Sequence, residues 1–469
     1  MENKKYTSLI KNTIIFALGG VGSKLILFLL VPLYTNYLTT AEYGTADLVF
    51  TVGQIVIPFA SCGIFAAVIR FGISQNYNQN NVLRSSFVII STGALATIIL
   101  TPLLRFYKAL SDWKWYLCVY VITELFASVE MNYLKAKEKN RSYAIVSVTR
   151  TLILAVSNIV LLVFLKTGVS GYLLSTIIAA IYAVLVSCIT GGLIHDLEES
   201  VFDRSLTKEI LIFSFPLIFN GISWWIIHSS DKVMIEMMIS ASALGIYSVA
   251  VKIPSVINVV VSVFSQAWSI SSIKEIEGDN DTNFFNSVFE RFSTLIFVVT
   301  IVAIALSKPF MTIYVGKSFN TACMYVPLLL VSAAFGSIGT FFGAFYGPIN
   351  KNVLIMYSTI AGGIVNVAIN YLTIPSLKIW GAVLGTVVTY VFIGLFRMLF
   401  ALRYIKMRIN WGTFIVNCLI MSLSACAVSF EFYPLVITVA FLVIYFVTNL
   451  HSLSKLAMDG LEMMRRIRR

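Results

Sequence analysis

The sequence predicts an all-α integral membrane protein of about 14 transmembrane helices: two parallel six-helix lobes followed by two C-terminal helices. Three observations carry this. Only 12% of the 469 residues are charged and 58% are apolar, against about 25% charged in soluble domains. The apolar residues form continuous runs, and a run of about 18 or more residues can cross the hydrocarbon core as a helix. The pattern of the first half also returns in the second. No water reaches the bilayer core, so backbone groups must pair within each segment. The runs do not alternate as barrel strands would.

The runs fall near 12–35, 46–70, 84–104, 115–134, 143–165, 170–194, 209–230, 244–269, 287–306, 322–346, 353–373, 380–402, 411–429 and 432–450. The first follows the basic segment MENKKYTSLIK and lacks an A-x-A-like cleavage site, so it reads as an uncleaved transmembrane helix. Most connections are short. The longest, 195–208 and 270–286, are too small to fold alone, so the activity lies inside or across the membrane. Six cysteines without a C-x-x-C pair, and three histidines, give no metal site or disulfide framework. No cofactor is expected.

Lysine and arginine orient the chain. With the N-terminus inside, inside loops collect 22 of the 34, outside loops 8, and Lys24, Arg150, Lys252 and Arg397 lie within helices. Both termini are therefore expected in the cytoplasm. The net charge of +12 reads as membrane anchoring and needs no nucleic-acid partner.

LTTAEYGTADLVF (38–50) pairs with ISASALGIYSVAV (239–251), aligning Gly44 with Gly245. KEKNRSYAIVSVTR (137–150) pairs with INKNVLIMYSTIAG (349–362), and VSGYLLST (169–176) with IWGAVLGT (379–386). Six helices per unit make the repeats parallel. The expected divisions are 1–200, 201–408, and 409–469 for the last two helices and the basic tail.

VPLYTNYLTTAEYG, AVIRFG with Arg70, FSFPLIFNGIS, SSDKVMIEMMISASALGIYSVAVKIP and INKNVLIMYSTIAGGIVNVAINYLTIPSLKIWGAVLGT together resemble one family. It is the polysaccharide-biosynthesis branch of the multidrug/oligosaccharidyl-lipid/polysaccharide exporter superfamily. The resemblance spans helices 1 to 12 and extends toward all 14. It implies two lobes around a central cavity, alternating access, and an undecaprenyl-diphosphate-linked oligosaccharide as cargo. It also implies a bacterial cytoplasmic membrane, with glycan polymerases or glycosyltransferases as neighbours.

An ionisable residue near the bilayer centre costs about 2.5–3.5 kcal/mol on insertion scales, so those that persist face a polar cavity or pair with one another. Lys24 lies 13 residues beyond Lys11, about 20 Å along a helix. Its readings are a cavity-facing substrate contact, a structural ion pair, or a lipid-facing side chain. Lys252, on helix 8, is its expected counterpart from the other lobe. Two ammonium groups suit a diphosphate. In the resembling lipid II flippases, basic residues on helices 1, 2 and 8 line the cavity, and Lys24, Arg70 and Lys252 occupy those helices. Arg70 and Arg150 are read as inner-leaflet headgroup contacts, with plain anchoring the rival for Arg70. Arg397 is expected to snorkel.

Glu124, near the middle of helix 4, is a candidate coupling acid for H+ or Na+, carried protonated or paired with Lys24 in one state. Asp47 is expected at the start of helix 2, meeting the helix dipole. Asp231, beside Lys232 at the end of helix 7, is a candidate outer gate contact. Glu130 is expected to be solvated. Aromatic belts account for most tryptophans.

The leading expectation is a non-enzymatic flippase of a lipid-linked oligosaccharide. A multidrug or cation exporter would favour acidic cavity residues. A membrane polymerase or acyltransferase would need a large outer loop with clustered polar residues, which is missing from these short loops.

Overall fold

The computed structural model describes residues 22–278, 281–430, 434–450, 453–454 and 458. Among them no strand occurs, and 12 helices are long and apolar enough to span a membrane. The chain is an all-α polytopic membrane protein. The first and fourteenth predicted runs extend outside the described residues, as do Lys11 and the terminal RRIRR.

After a helical segment over 22–29 come α1 (Val31–Tyr37), α2 (Thr40–Ala60), α3 (Phe65–Ile73), α4 (Gln79–Leu100), α5 (Lys114–Ala136), α6 (Asn140–Asn158) and α7 (Gly168–Gly191). Then follow α8 (Arg204–Met238), α9 (Ala241–Glu277), α10 (Thr282–Tyr314), α11 (Val326–Gly343), α12 (Asn352–Leu377), α13 (Ile379–Ala401), α14 (Trp411–Ser429) and α15 (Pro434–Thr448).

Polar caps set the boundaries that hydropathy leaves vague. Thr39 opens α2 in a capping box: its hydroxyl accepts from the Glu42 amide at 3.2 Å, and the Glu42 carboxylate accepts from the Thr39 amide at 2.8 Å. Such a cap contributes about 1 kcal/mol. Asn78, Asp203, Asp281 and Asn410 cap α4, α8, α10 and α14 with a side-chain oxygen alone, accepting from amides of the first turn.

The predicted run 46–70 is not one helix. Cys62 (φ 49°) and Gly63 (φ 69°) adopt left-handed backbone, one turn after Pro58, and divide it into α2 and α3. A Cβ on Gly63 would stand 3.0 Å from the Ser214 carbonyl oxygen of α8, so both its conformation and its space demand glycine. The amides of Ser61, Cys62, Gly63 and Ile64 still find carbonyl partners at 2.9–3.2 Å. That is what lets a break persist at membrane depth.

Packing divides the chain into two compact units, Met1–Gly245 and Ile246–Arg469. Thus α8, which the repeat assigns to the second half, packs with the first. In the first unit Trp225 of α8 donates to the Thr51 carbonyl of α2 at 2.8 Å. The first turn of α9 crosses α2 so closely that a Cβ on Gly44 would lie 1.8 Å from the Ala241 oxygen. In the second unit Trp268 is buried among Phe264, Phe285, Phe341 and Phe345, donating to the Phe341 carbonyl at 3.0 Å. Trp225 and Trp268 are therefore packing residues with satisfied indoles rather than members of an interfacial belt.

Candidate functional site

The first unit brings two pairs of opposite charge together inside its spans. Toward one end, the Lys232 ammonium of α8 lies 2.9 Å from the Asp47 carboxylate of α2, with both side chains largely buried. Asp231 accepts from the Lys232 amide at 2.8 Å. This corrects two expectations. Asp47 is the eighth residue of α2, and the dipole position it was expected to fill is taken by Glu42. Asp231 and Lys232 do not end their helix, because α8 continues to Met238. Lys232 therefore leaves the set of outside anchors, and sequence reasoning missed it as a partner of Asp47.

The second pair lies deeper. Glu124 is ten residues beyond the start of α5, and Arg150 is ten residues beyond the start of α6. Each is about 15 Å along its helix. They form an ion pair, the Arg150 guanidinium donating to the Glu124 carboxylate. Arg150, expected about two turns into its helix, is nearly three turns in because α6 starts at Asn140, and it supplies the cation for Glu124.

Beside this pair, a cavity of about 370 Å³ runs between residues 23–27, α5 and α6. Arg150, Ser128, Asn132, Ser147 and Thr151 give it a polar wall, and Ser23 and Leu27 close it from the first helical segment. Lys135, over the Tyr143 ring at 4.3 Å, also lines it. Lys24 belongs to the same segment but is exposed and is not among the lining residues.

Arg70 sits in the last turn of α3, as expected for the end of helix 2. Its guanidinium covers the Phe213 ring at 4.2 Å, a cation–π contact. It lines a cavity of about 490 Å³ with Tyr77, Glu209 and Phe213. Tyr77 donates to Glu209 at 2.8 Å, and this hydrogen bond holds its phenol above the usual tyrosine range. Lys252 is half-buried on α9 in the second unit.

Two further corrections concern groups that sequence reasoning placed in solvent. Glu130 is 1% exposed, and one carboxyl oxygen accepts only from the Cys188 thiol at 3.9 Å. Its other oxygen has no partner among the described residues. Arg397 does not snorkel, for it is 6% exposed. It donates to the Ser358 hydroxyl at 2.9 Å, the Thr359 hydroxyl at 3.0 Å and the Gly339 carbonyl at 3.4 Å. Hydroxyls one residue apart on a neighbouring helix were the missing signal.

A sequence profile described as polysaccharide biosynthesis protein matches residues 9–270, more than half of the chain. The chain belongs to that family. An uncharacterized membrane protein of Haemophilus influenzae is 22% identical over 333 residues, covering 70% of this chain and 81% of that protein. Lsg locus putative protein 1 of the same organism is 22% identical over 272 residues, or 55% of this chain and 64% of that protein.

Among solved structures, an inward-facing multidrug resistance MATE family transporter of the MOP superfamily matches with a TM-score of 0.68 at 15% identity, over 83% of this chain and 94% of that one. The lipid II flippase MurJ, inward closed, matches with a TM-score of 0.68 at 13% identity, over 93% and 99%. At these identities the likeness establishes the fold. This polysaccharide biosynthesis protein has the architecture of that superfamily, as its motifs implied. The family match ends within α9, so beyond it the fold alone extends the relationship.

Proposed function

We propose that the chain is a flippase carrying an undecaprenyl-diphosphate-linked oligosaccharide repeat unit from the inner to the outer leaflet of a bacterial cytoplasmic membrane, by alternating access. In this reading both termini are cytoplasmic. The observation that carries it is a polysaccharide-biosynthesis family match on a fold shared with a lipid II flippase. Polysaccharide units are assembled on lipid carriers too polar to cross unaided, so such a family needs a translocating member.

The paired charges suggest how the cycle is driven. With Glu124 ionised, Arg150 is held to it. A proton or sodium ion on the carboxylate frees the guanidinium to take a diphosphate oxygen through charge-assisted hydrogen bonds. Arg70, Lys24 and Lys252 are further diphosphate contacts in this scheme. The Asp47–Lys232 pair, with Asp231 beside it, acts as a gate that parts and re-forms.

The test is translocation of fluorescent lipid-linked oligosaccharide in proteoliposomes, with and without imposed pH or sodium gradients. Wild-type protein is expected to translocate it, and Glu124→Gln to lose the gradient response. The MATE likeness supports a second reading, an organic-cation exporter. Export of cationic dyes with no translocation of any lipid-linked glycan would establish that instead.

A further inference from the structure

The cavity of about 490 Å³ beside Arg70 holds charges of both signs that are not spent on each other. The Arg70 guanidinium lies over the Phe213 ring at 4.2 Å and 5.7 Å from the Phe71 ring, and it makes no hydrogen bond or ion pair with any described residue. The rings fix its plane and leave its five N–H donors unused. In the same lining, one Glu209 oxygen accepts from Tyr77 at 2.8 Å, and the other has no hydrogen-bond partner among the described residues. The exposed Asn76 side-chain amide is likewise without one.

The cavity lies where helices meet the membrane surface. Arg70 is in the last turn of α3, and Glu209 is five residues into α8, about 8 Å along it. That is headgroup depth. A bare phosphate would be repelled by Glu209, and a cation by Arg70. A phosphate that carries a sugar satisfies both: its oxygens accept from the guanidinium, and sugar hydroxyls donate to the carboxylate. From the lip of the cavity, the exposed side chains of Ile212, Phe215 and Phe219 follow along α8 at helical spacing. They give a hydrocarbon chain a track into the span.

We propose that this cavity binds the glycosyl phosphate of the lipid-linked cargo. Arg70 takes the phosphate next to the sugar, Glu209 and Asn76 read the hydroxyls of that first sugar, and the carrier chain runs along α8. The assignment rests on the flippase reading and adds to it a place where the sugar itself is recognised.

The test is native mass spectrometry of the full-length protein in detergent with undecaprenyl diphosphate, either bare or bearing one glucose, galactose or N-acetylglucosamine. Phosphatidylglycerol serves as the lipid control. At least one sugar-bearing lipid is expected to be retained about tenfold more strongly than the bare one, the scale of one hydrogen bond to a charged group. Glu209→Gln keeps an oxygen for Tyr77 but no second one, so it should bring that ratio near one while leaving retention of the bare lipid unchanged. Asn76→Ala should at least halve the ratio, and Arg70→Ala should weaken all the diphosphate lipids alike. Thermal unfolding midpoints should not move. Equal retention of bare and sugar-bearing lipids by the wild type, or a wild-type ratio in both Glu209→Gln and Asn76→Ala, would overturn the assignment and leave the flippase reading standing. Displacement by an equal concentration of the matching UDP-glucose, UDP-galactose or UDP-N-acetylglucosamine would do the same, since the ligand would then be a soluble glycosyl phosphate. Retention of no diphosphate lipid above phosphatidylglycerol would overturn both.

Discussion

In the first unit, two cations inside the spans lie against carboxylates: Lys232 against Asp47, Arg150 against Glu124. In the second, Arg397 is more deeply buried and is held by two hydroxyls and a carbonyl. The sequence makes this unavoidable, because no Asp or Glu occurs between Arg291 and Phe430. A carboxylate partner can be neutralised by a proton or outcompeted by a metal ion, while a hydroxyl cannot. The first unit therefore carries contacts that chemistry can switch, and the second carries a fixed clamp.

The sharpest way to break this contrast is at the deeper pair. Glu124→Leu strands a guanidinium at mid-membrane and should abolish glycan export while costing about 2–3 kcal/mol of stability, toward the low end for buried pairs because both side chains keep some exposure. The double variant Glu124→Gln with Arg150→Gln should recover much of that stability, with a coupling of about 1–2 kcal/mol in a thermal-unfolding cycle. Additive losses would show that the two residues do not act as a pair.

Arg397→Met should cost about 2 kcal/mol by leaving two hydroxyls and a carbonyl without their donor. It should not move the pH or sodium dependence of transport. A shifted profile would end the distinction between the units. Asp47→Asn keeps the shape of its site and removes only charge, so a loss near 1 kcal/mol is expected, with altered gradient dependence if that pair is a gate. Glu130→Gln should change stability least, within about 1 kcal/mol, since only a thiol contact at 3.9 Å is at stake. A wild-type gradient response in that variant would exclude Glu130 from coupling.

Most of the helices were legible because hydropathy is local: each run declares itself without reference to its neighbours. The break at Cys62–Gly63 was not, since the surrounding residues stay apolar through it. Of the pairs, Glu124–Arg150 was readable in principle. The two residues stand nearly equidistant from the turn at Lys137–Lys139, and equal counts in an antiparallel hairpin mean equal depth. Asp47–Lys232 offered no such ruler, because helices far apart in sequence meet there. Arg397 misled for a plainer reason. Distance from a helix end says how far a side chain must reach for water, but nothing about which face it occupies.

The break in the second helix has one more consequence. Pro58 has already removed a donor, and the amides from Ser61 to Ile64 draw on the carbonyls of Ile57, Phe59, Pro58 and Ser61, the last turn of α2 and the break itself. Bending there need expose no bare peptide group to lipid. Pro216, Pro254, Pro309 and Pro375 likewise lack a donor inside α8, α9, α10 and α12, but only Pro58 is followed, within its predicted run, by left-handed backbone among the described residues. A bend is thus built into the chain with its peptide groups already paired, and slow amide exchange at 61–64 is the expected sign of that pairing.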